Sequence, residues 1–308
     1  MAKKTFEEVA CAWKTEKRLY IKKTSYAAYV HLLNKHLLPW FSAQSSLDEK
    51  TVQEYVNGKL KEGLGEKTVK DSLIVLKMIL RFGWKNGALP QFDYKVIFPT
   101  TAEKYRCLPV LQLQDQKKLC FYLLNNPTPR NLGILICMQS GLRIGEVCGL
   151  MWQDIDLSAG EIHVRRTVSR IWLSDGDEKQ NELHIGTPKT LSSVRDIPLS
   201  RNLAAIVRLL KKKKSPTSYV LSDAEIPLEP RYYRDYFRNL LCRLGIPPIR
   251  FHALRHTFAT RCIESGCDYK TVSVILGHSS LATTMDLYVH PGFAEKKKAI
   301  EKMARALG

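Results

Sequence analysis

Six side chains have types and spacing that could together act on a phosphate: Arg143, Lys189, His252, Arg255, His278 and Tyr288. Arginines bind phosphate oxygens in a fork and keep their charge at any physiological pH. Histidines near neutral pKa donate hydrogen bonds or move protons. A phenol becomes a nucleophile once its proton is removed or nearby cations favour the phenolate, and a lysine can hand a proton to a departing oxygen when its pKa is depressed. Taken singly, these signals are weak. Arg143, in Ser140-Gly141-Leu142-Arg143-Ile144-Gly145-Glu146, also fits a helix-surface arginine paired with Glu146. Lys189, in Gly186-Thr187-Pro188-Lys189-Thr190, fits a hairpin-turn lysine. His278, after Gly277, fits a structural histidine beyond a left-handed helix cap, and Tyr288 a packing residue with a tethered hydroxyl. The run His252-Ala253-Leu254-Arg255-His256 is sharper. On a helix, positions 252, 255 and 256 share one face while Leu254 and Phe258 turn to the core, so an imidazole and a guanidinium stand side by side where one phosphate fits. The spacing assigns His256 no role.

Elements must bring these residues together. Residues 1–95 read as a compact four-helix unit. Thr5 with Glu8 forms a capping box, and Thr51 with Glu54 repeats the pattern. Tyr26, Tyr29, Val30, Leu33 and Leu37 fall at helical spacing up to Pro39, which is expected to stop that helix. Val69, Leu73, Leu76 and Leu80 form a stripe widened by Ile74, Val75, Ile79 and Phe82, so this helix is expected to be buried on most sides. Pro90, Pro99 and Pro109 mark a breaker-rich stretch, with a linker placed over 96–110. From 111 to 308, helical patterns cover 113–125, 128–151 (interrupted at Gly141), 201–213, 230–243, 252–265, 269–276 and 292–306. Short alternating runs at Ile162–Val164, Leu183–Ile185 and Val194–Ile197 predict a small antiparallel sheet around a polar loop at 174–182. The expected fold is therefore mainly α with a small antiparallel β-sheet: a helical bundle followed by an α+β domain.

Composition limits the partners. The 308 residues carry 48 Lys and Arg against 30 Asp and Glu, a formal charge of +18, which points to a polyanion such as nucleic acid. A 44% hydrophobic content excludes wholesale disorder. No run of apolar residues is long enough to span a membrane, and the first residues lack a secretory pattern, so a soluble cytoplasmic protein is expected. The cysteines form no C-x-x-C pair and the histidines no H-E-x-x-H, so reduced thiols and neither metal nor cofactor are expected. The runs Lys211–Lys214 and Lys296–Lys298 are read as solvated helix ends, with a nuclear-localisation patch or a phosphate contact as the other options.

Order and spacing together change the weight of the six residues. Arg143, then Lys189, then His252-x-x-Arg255, then Gly277-His278, then Tyr288 resembles the tyrosine recombinase (phage integrase) family over nearly the whole chain. The resemblance implies a core-binding domain at 1–95, a catalytic domain at 111–308, and metal-independent breakage and rejoining of DNA. It implies that Tyr288 attacks the scissile phosphate, forms a 3′-phosphotyrosyl link and releases a 5′-hydroxyl. The four cationic and imidazole residues Arg143, Arg255, His252 and His278 serve the phosphate, Lys189 the leaving oxygen, and Glu146 orients Arg143. It further implies a partner duplex, a monomer when free and a tetramer at synapsis, with possible accessory DNA-bending or directionality factors. The C-terminal helix bearing Ile300, Met303 and Leu307 would dock onto a neighbouring protomer. An N-terminal arm-binding domain, carried by many integrases, is not found. Arg231, Arg234 and Arg238, with polar residues at 67–86, are candidates for reading bases or contacting phosphates. A type IB topoisomerase, and a non-catalytic DNA-binding protein on the same scaffold, are the competing readings.

Overall fold

The computed structural model describes residues 4–44, 46–99, 109–175, 178–188, 191–288 and 293–306. The chain divides into two compact units, residues 1–105 with 171–182 and residues 106–170 with 183–308.

The first unit is helical. Helix α1 (Phe6–Lys17) opens on the expected box: Thr5 Oγ1 accepts the Glu8 N–H at 3.2 Å, and the Glu8 carboxylate accepts the Thr5 N–H at 2.8 Å. Helix α2 (Lys23–Leu32) runs through a π-helical turn, Leu33–Leu37, into α3 (Leu38–Phe41), so Pro39 does not stop the helix. The Leu38 N–H bonds the Leu33 carbonyl five residues back, and this wider turn relieves the clash a proline ring makes with the carbonyl four residues before it. Helix α4 (Glu49–Lys61) is capped by Asp48, whose Oδ1 accepts the Thr51 N–H at 2.8 Å. The expected box on Thr51 and Glu54 does not form, because Thr51 already lies inside the first turn. Helix α5 (Glu66–Lys85) buries Val69, Leu73, Val75, Leu76, Ile79 and Leu80, but Ile74 is 55% exposed, so it is covered along one broad face only. Phe6, Trp13, Leu33, Phe41, Tyr55 and Leu76 meet in one core, where Tyr55 Oη and Ser72 Oγ lie 2.7 Å apart. Of the expected linker, residues 100–108 lie outside the described residues.

The second unit begins with α6 (Leu113–Asn125), α7 (Pro129–Ser140) and the short α8 (Ile144–Cys148). Strands β1 (Ile155–Asp156) and β2 (Glu161–Val164) follow, then β3 (Thr167–Asp175) and β4 (Glu178–Gly186), whose residues 171–182 are grouped with the first unit, and β5 (Arg195–Pro198). They form two sheets rather than one: antiparallel β1-β2-β5, with Ile162 opposite both Ile155 and Ile197, and a separate β3-β4 pair. The expected polar loop at 174–182 is mostly strand. Its residues are polar, so no hydrophobic alternation announces a ladder that backbone pairing holds. Lys189, expected in a hairpin turn, lies outside the described residues.

Helices α9 (Arg201–Lys211), α10 (Pro230–Arg243), α11 (His252–Glu264), α12 (Tyr269–Leu276), α13 (Leu281–Tyr288) and α14 (Phe293–Ala306) complete the unit. The core gathers Trp152, Leu135, Ile162, Phe237 and Leu254. The run Lys211–Lys214 is not simply solvated: Lys211 Nζ donates to the Ile155 carbonyl at 2.5 Å, and Lys214 pairs with Asp223. On α14, Ile300 and Met303 are exposed, while Leu307 lies outside the described residues. Among the described residues no helix is long and apolar enough to cross a membrane.

Candidate active site

Two glycines that end helices hold the two arginines. Gly141 terminates α7 in the left-handed region at φ 64°, and a Cβ there would lie 2.6 Å from Leu276 and 2.7 Å from Phe258. Its carbonyl accepts Arg255 Nη1 at 2.8 Å. Gly277 terminates α12 at φ 67°, and its carbonyl accepts Arg143 Nη2 at 3.3 Å. The C-terminal end of a helix carries partial negative charge, so both guanidinium groups sit where that dipole favours them. Arg255 is 2% exposed, and its Nη2 has no partner among the described residues. A buried guanidinium N–H left without an acceptor costs free energy, and an incoming oxyanion would remove that cost. Desolvation first, then the charge of Arg143, lowers the Arg255 pKa to about 10, which still leaves it charged at neutral pH.

Behind Arg143 lies an ion pair that alternation in the sequence concealed. Strand β5 turns Arg195 and Ile197 inward and Asp196 outward. Arg195 therefore occupies a core position, and Glu146 of α8 meets it there. Glu146 Oε1 accepts Arg143 Nη1 at 2.8 Å and Arg195 Nη1 at 3.2 Å, while Oε2 accepts the Arg143 backbone N–H at 2.9 Å and Arg195 Nη2 at 3.0 Å. Burial pulls the Glu146 carboxyl up, but the hydrogen bond and charge of Arg195, with Arg143, outweigh it and hold the pKa below the ordinary range. Arg195 Nε also donates to the Ile275 carbonyl at 2.6 Å. This one side chain thus ties β5 to α8 and to the end of α12.

The histidines and the tyrosine gather beside this cluster. His278 Nδ1 and Thr284 Oγ1, a fully buried hydroxyl, lie 2.8 Å apart. Desolvation, then Arg255, Arg143, Arg195 and His252, lower the His278 pKa to about 4. The rings of His278 and Tyr288 stack at 6.4 Å, and those of His252 and His256 meet edge-on at 4.6 Å. Desolvation, followed by the charges of His256, Arg255 and Arg143, pushes the His252 imidazole down from its ordinary range. His252 is nonetheless exposed, and surrounding water offsets part of that push. Tyr288 is 8% exposed, and burial raises its phenol above the usual 10 although Arg255 and Arg143 pull it down. Burial thus opposes ionisation of the phenol while the two cations favour it, and a base beside the hydroxyl would help to take its proton. Tyr288 Oη is hydrogen-bonded to His256 Nδ1 at 2.7 Å.

Arg143, His252, Arg255, His278, Tyr288 and Glu146 are thus brought together, and Lys189 lies outside the described residues. A cavity of about 520 Å³ is lined by Arg143, Glu146, Ser193, Gly277 and His278, with Pro188, the neighbour of Lys189, at its wall. Sequence reasoning missed Arg195, His256 and Thr284. For Arg195 a signal existed, an arginine in register with Ile197 on an inward-facing strand. Among the described residues one cluster, Glu161, His163 and Asp196, has metal-ligand spacing. Asp196 Oδ1 is already engaged by Arg165 at 2.5 Å and His163 at 2.7 Å. Among the described residues that line the pocket the only carboxylate is Glu146, held by two arginines, a poor setting for a cation.

A model of the phage integrase family matches residues 110–295. A protein described as tyrosine recombinase XerC-like, from Caldanaerobacter subterraneus subsp. tengcongensis, is 29% identical over 273 residues, covering 82% of this chain and 69% of that protein. The ICEBs1 integrase of Bacillus subtilis is 24% identical over 297 residues, covering 92% and 78%. Among solved structures, the Tn1549 transposon integrase in complex with transposon right end DNA superposes with a TM-score of 0.78 at 20% identity, covering 98% of this chain and all of that one. A lambda integrase dimer bound to a COC′ core site gives 0.64 at 18% identity, covering 94% and 79%. These superpositions show a shared fold.

Proposed function

The chain belongs to the phage integrase family, and from that premise we propose that it is a site-specific DNA recombinase, the integrase of a mobile element, acting in the cytoplasm without metal or cofactor. The observation that carries the reading is the unpartnered Nη2 of buried Arg255 beside Arg143 and the Tyr288 hydroxyl. Such a pocket fits one phosphodiester. Tyr288 Oη forms a bond to phosphorus as the P–O5′ bond breaks, leaving a 3′-phosphotyrosyl link. Arg143 and Arg255 neutralise the non-bridging oxygens, whose charge grows in the transition state. His252 and His278, neutral at physiological pH, donate hydrogen bonds to the same oxygens. Lys189 supplies the proton to the departing 5′-oxygen. The 5′-hydroxyl of a partner strand then attacks the phosphotyrosine, and the ester keeps the bond energy, so no nucleotide cofactor is consumed. Glu146 positions Arg143 and touches no substrate.

The relatives support DNA as the substrate: the Tn1549 and lambda integrase structures hold DNA, and further relatives are transposases of Tn916 from Enterococcus faecalis and of Tn1545 from Streptococcus pneumoniae. A charge of +18 fits phosphate contacts, with Arg231 exposed on α10 to serve them. We assign residues 1–95 to core binding and 111–308 to catalysis. The exposed Ile300 and Met303 of α14 fit docking between protomers in a DNA-bound tetramer. The test uses Tyr288→Phe protein to select a bound duplex from a randomised pool. Wild-type protein is then given that duplex with a nick just 3′ of the cleavage point, so the short 5′-hydroxyl fragment diffuses away. A covalent adduct that Tyr288→Phe abolishes is expected, together with strand exchange between two intact sites. No adduct would remove the enzymatic reading, and relaxation of plasmid without exchange would assign a topoisomerase.

A further inference from the structure

His256 lies outside the six residues assigned to the reaction, yet among the described residues it is the hydrogen-bonding partner of the Tyr288 hydroxyl, at 2.7 Å between Nδ1 and Oη. The contact has a sense. Burial keeps the phenol protonated and holds the imidazole neutral, and a phenol O–H is a better donor than an imidazole N–H, while an imidazole nitrogen is a better acceptor than a phenol oxygen. Tyr288 therefore donates to His256 Nδ1, and the remaining imidazole proton sits on Nε2. We propose that His256 takes the Tyr288 proton during cleavage and returns it during rejoining.

This rests on Tyr288 being the nucleophile. As the Oη–P bond forms and the P–O5′ bond breaks, the O–H electron pair stays on Oη and the proton passes to Nδ1, giving an imidazolium. In the reverse half-reaction the incoming 5′-hydroxyl attacks phosphorus, its proton goes to the group that protonated it before, and the released phenolate recovers its proton from His256. Placement supports the role. His256 and Arg255 are neighbours on α11, so one helix presents both the phosphate clamp and the base, while Tyr288 reaches them from α13. The groups facing His256 are Tyr288 from α13 and, from its own helix, His252 edge-on at 4.6 Å and Arg255. His278, at the turn between α12 and α13, stacks on the tyrosine ring and bonds Thr284 instead of the hydroxyl. Desolvation and the Arg255 charge hold His256 below its ordinary pKa, so it is neutral and able to accept at physiological pH.

The test measures adduct formation on the nicked duplex by wild type, His256→Asn and His256→Gln, from pH 5 to 9. Asn places an amide near the Nδ1 position but takes no proton. Loss of a general base typically costs about 10²-fold or more, so both variants should bind the duplex as wild type does while cleaving about 10²-fold slower at pH 7. Wild-type cleavage should lose rate on the acid side of the ordinary histidine range, and that limb should vanish in His256→Asn, whose rate climbs with pH as the phenol ionises. Cleavage at the wild-type rate, or a loss equal at every pH with the acid limb kept, would overturn the proposal and leave His256 a packing residue. Duplex binding retained by either variant reports a folded protein. Wild type giving no adduct would overturn the nucleophile itself, an outcome distinct from any seen with His256 variants alone.

Discussion

Replacing Glu146 with Gln should destabilise the second unit by about 3 kcal/mol. The carboxylate is 2% exposed and accepts four N–H groups, two from Arg143 and two from Arg195. Gln keeps the shape and one acceptor, but turns an NH2 group toward guanidinium donors and leaves Arg195, 8% exposed, without a counter-charge. Removing one partner of a buried ion pair costs about 3–5 kcal/mol, and the surviving acceptor places this case at the lower end. For a unit near 190 residues, each kcal/mol moves Tm by about 2–4 °C, so a fall of roughly 6–12 °C is expected in thermal unfolding followed by circular dichroism. Adding Arg195→Met removes the stranded charge and should recover at least about 1 kcal/mol, giving a double variant more stable than Glu146→Gln alone. The pH dependence has a definite sign. The Glu146 pKa lies below its ordinary 4.5, so its contribution is complete above that value and is lost as pH falls through the folded-state pKa. Glu146→Gln should therefore flatten the stability profile below about pH 4.5 and leave it parallel to wild type above. Cleavage should slow, through a less fixed Arg143, but less completely than in Tyr288→Phe. An unchanged Tm, or single-variant losses that simply add, would refute the idea that Glu146 holds a buried cation in place.

Gly141→Ala forces a side chain into a left-handed backbone against Leu276 and Phe258 and displaces the carbonyl that holds Arg255; a stability loss of about 1–3 kcal/mol by chemical denaturation is expected, together with slower adduct formation. Arg255→Lys keeps the charge but loses the fork and the Nη1 bond to Gly141, so single-turnover cleavage should fall about 10²-fold or more while duplex affinity stays close to wild type. Duplex affinity should fall steeply with salt, log Kd rising in proportion to log salt with a slope of about 0.9 per phosphate neutralised; a flat response in a binding titration would contradict phosphate-dominated binding.

How much was legible depended on whether a residue's partner lay close along the chain. Most helices of both units follow from local periodicity, and His252 with Arg255 share a face because their spacing matches one helical turn. The ends were less legible. Pro39 sits in a helix because a π turn makes room for it, and Asp48, not Thr51, caps α4, choices decided by a few local hydrogen bonds. In β4 the run Leu183–Ile185 was legible as strand, but the polar stretch 178–182 before it carries no hydrophobic alternation to read. His256 could not be assigned because its partner, Tyr288, is 32 residues away on a helix, α13, that the local pattern did not disclose. Arg195 was hidden for a different reason: an inward charge on a strand looks like a breach of alternation until Glu146, 49 residues earlier, is known to face it.

The cluster of charges suggests why so much structure is spent on positioning. Among the described residues, Arg143, Arg195 and Arg255 against Glu146 leave two positive charges unbalanced in and behind the pocket, since the histidines around them are held neutral. A phosphodiester brings one negative charge, and as the pentacoordinate state forms a second develops on the oxygens beside Arg143 and Arg255, while the phenol proton is carried off to His256. Before that, the like charges of Arg143 and Arg255 repel, which contributes to the depressed pKa of Arg255. The glycine carbonyls at the ends of α7 and α12 and the Glu146 carboxylate restrain the guanidinium groups against that repulsion. Strain relieved in the transition state more than in the ground state accelerates the step, whereas uniform attraction would only tighten DNA binding. On this reasoning the rigid helix ends matter as much as the arginines they hold. A flexible cation would relax away from its neighbour when the pocket is empty, and the same charge would then give affinity without rate.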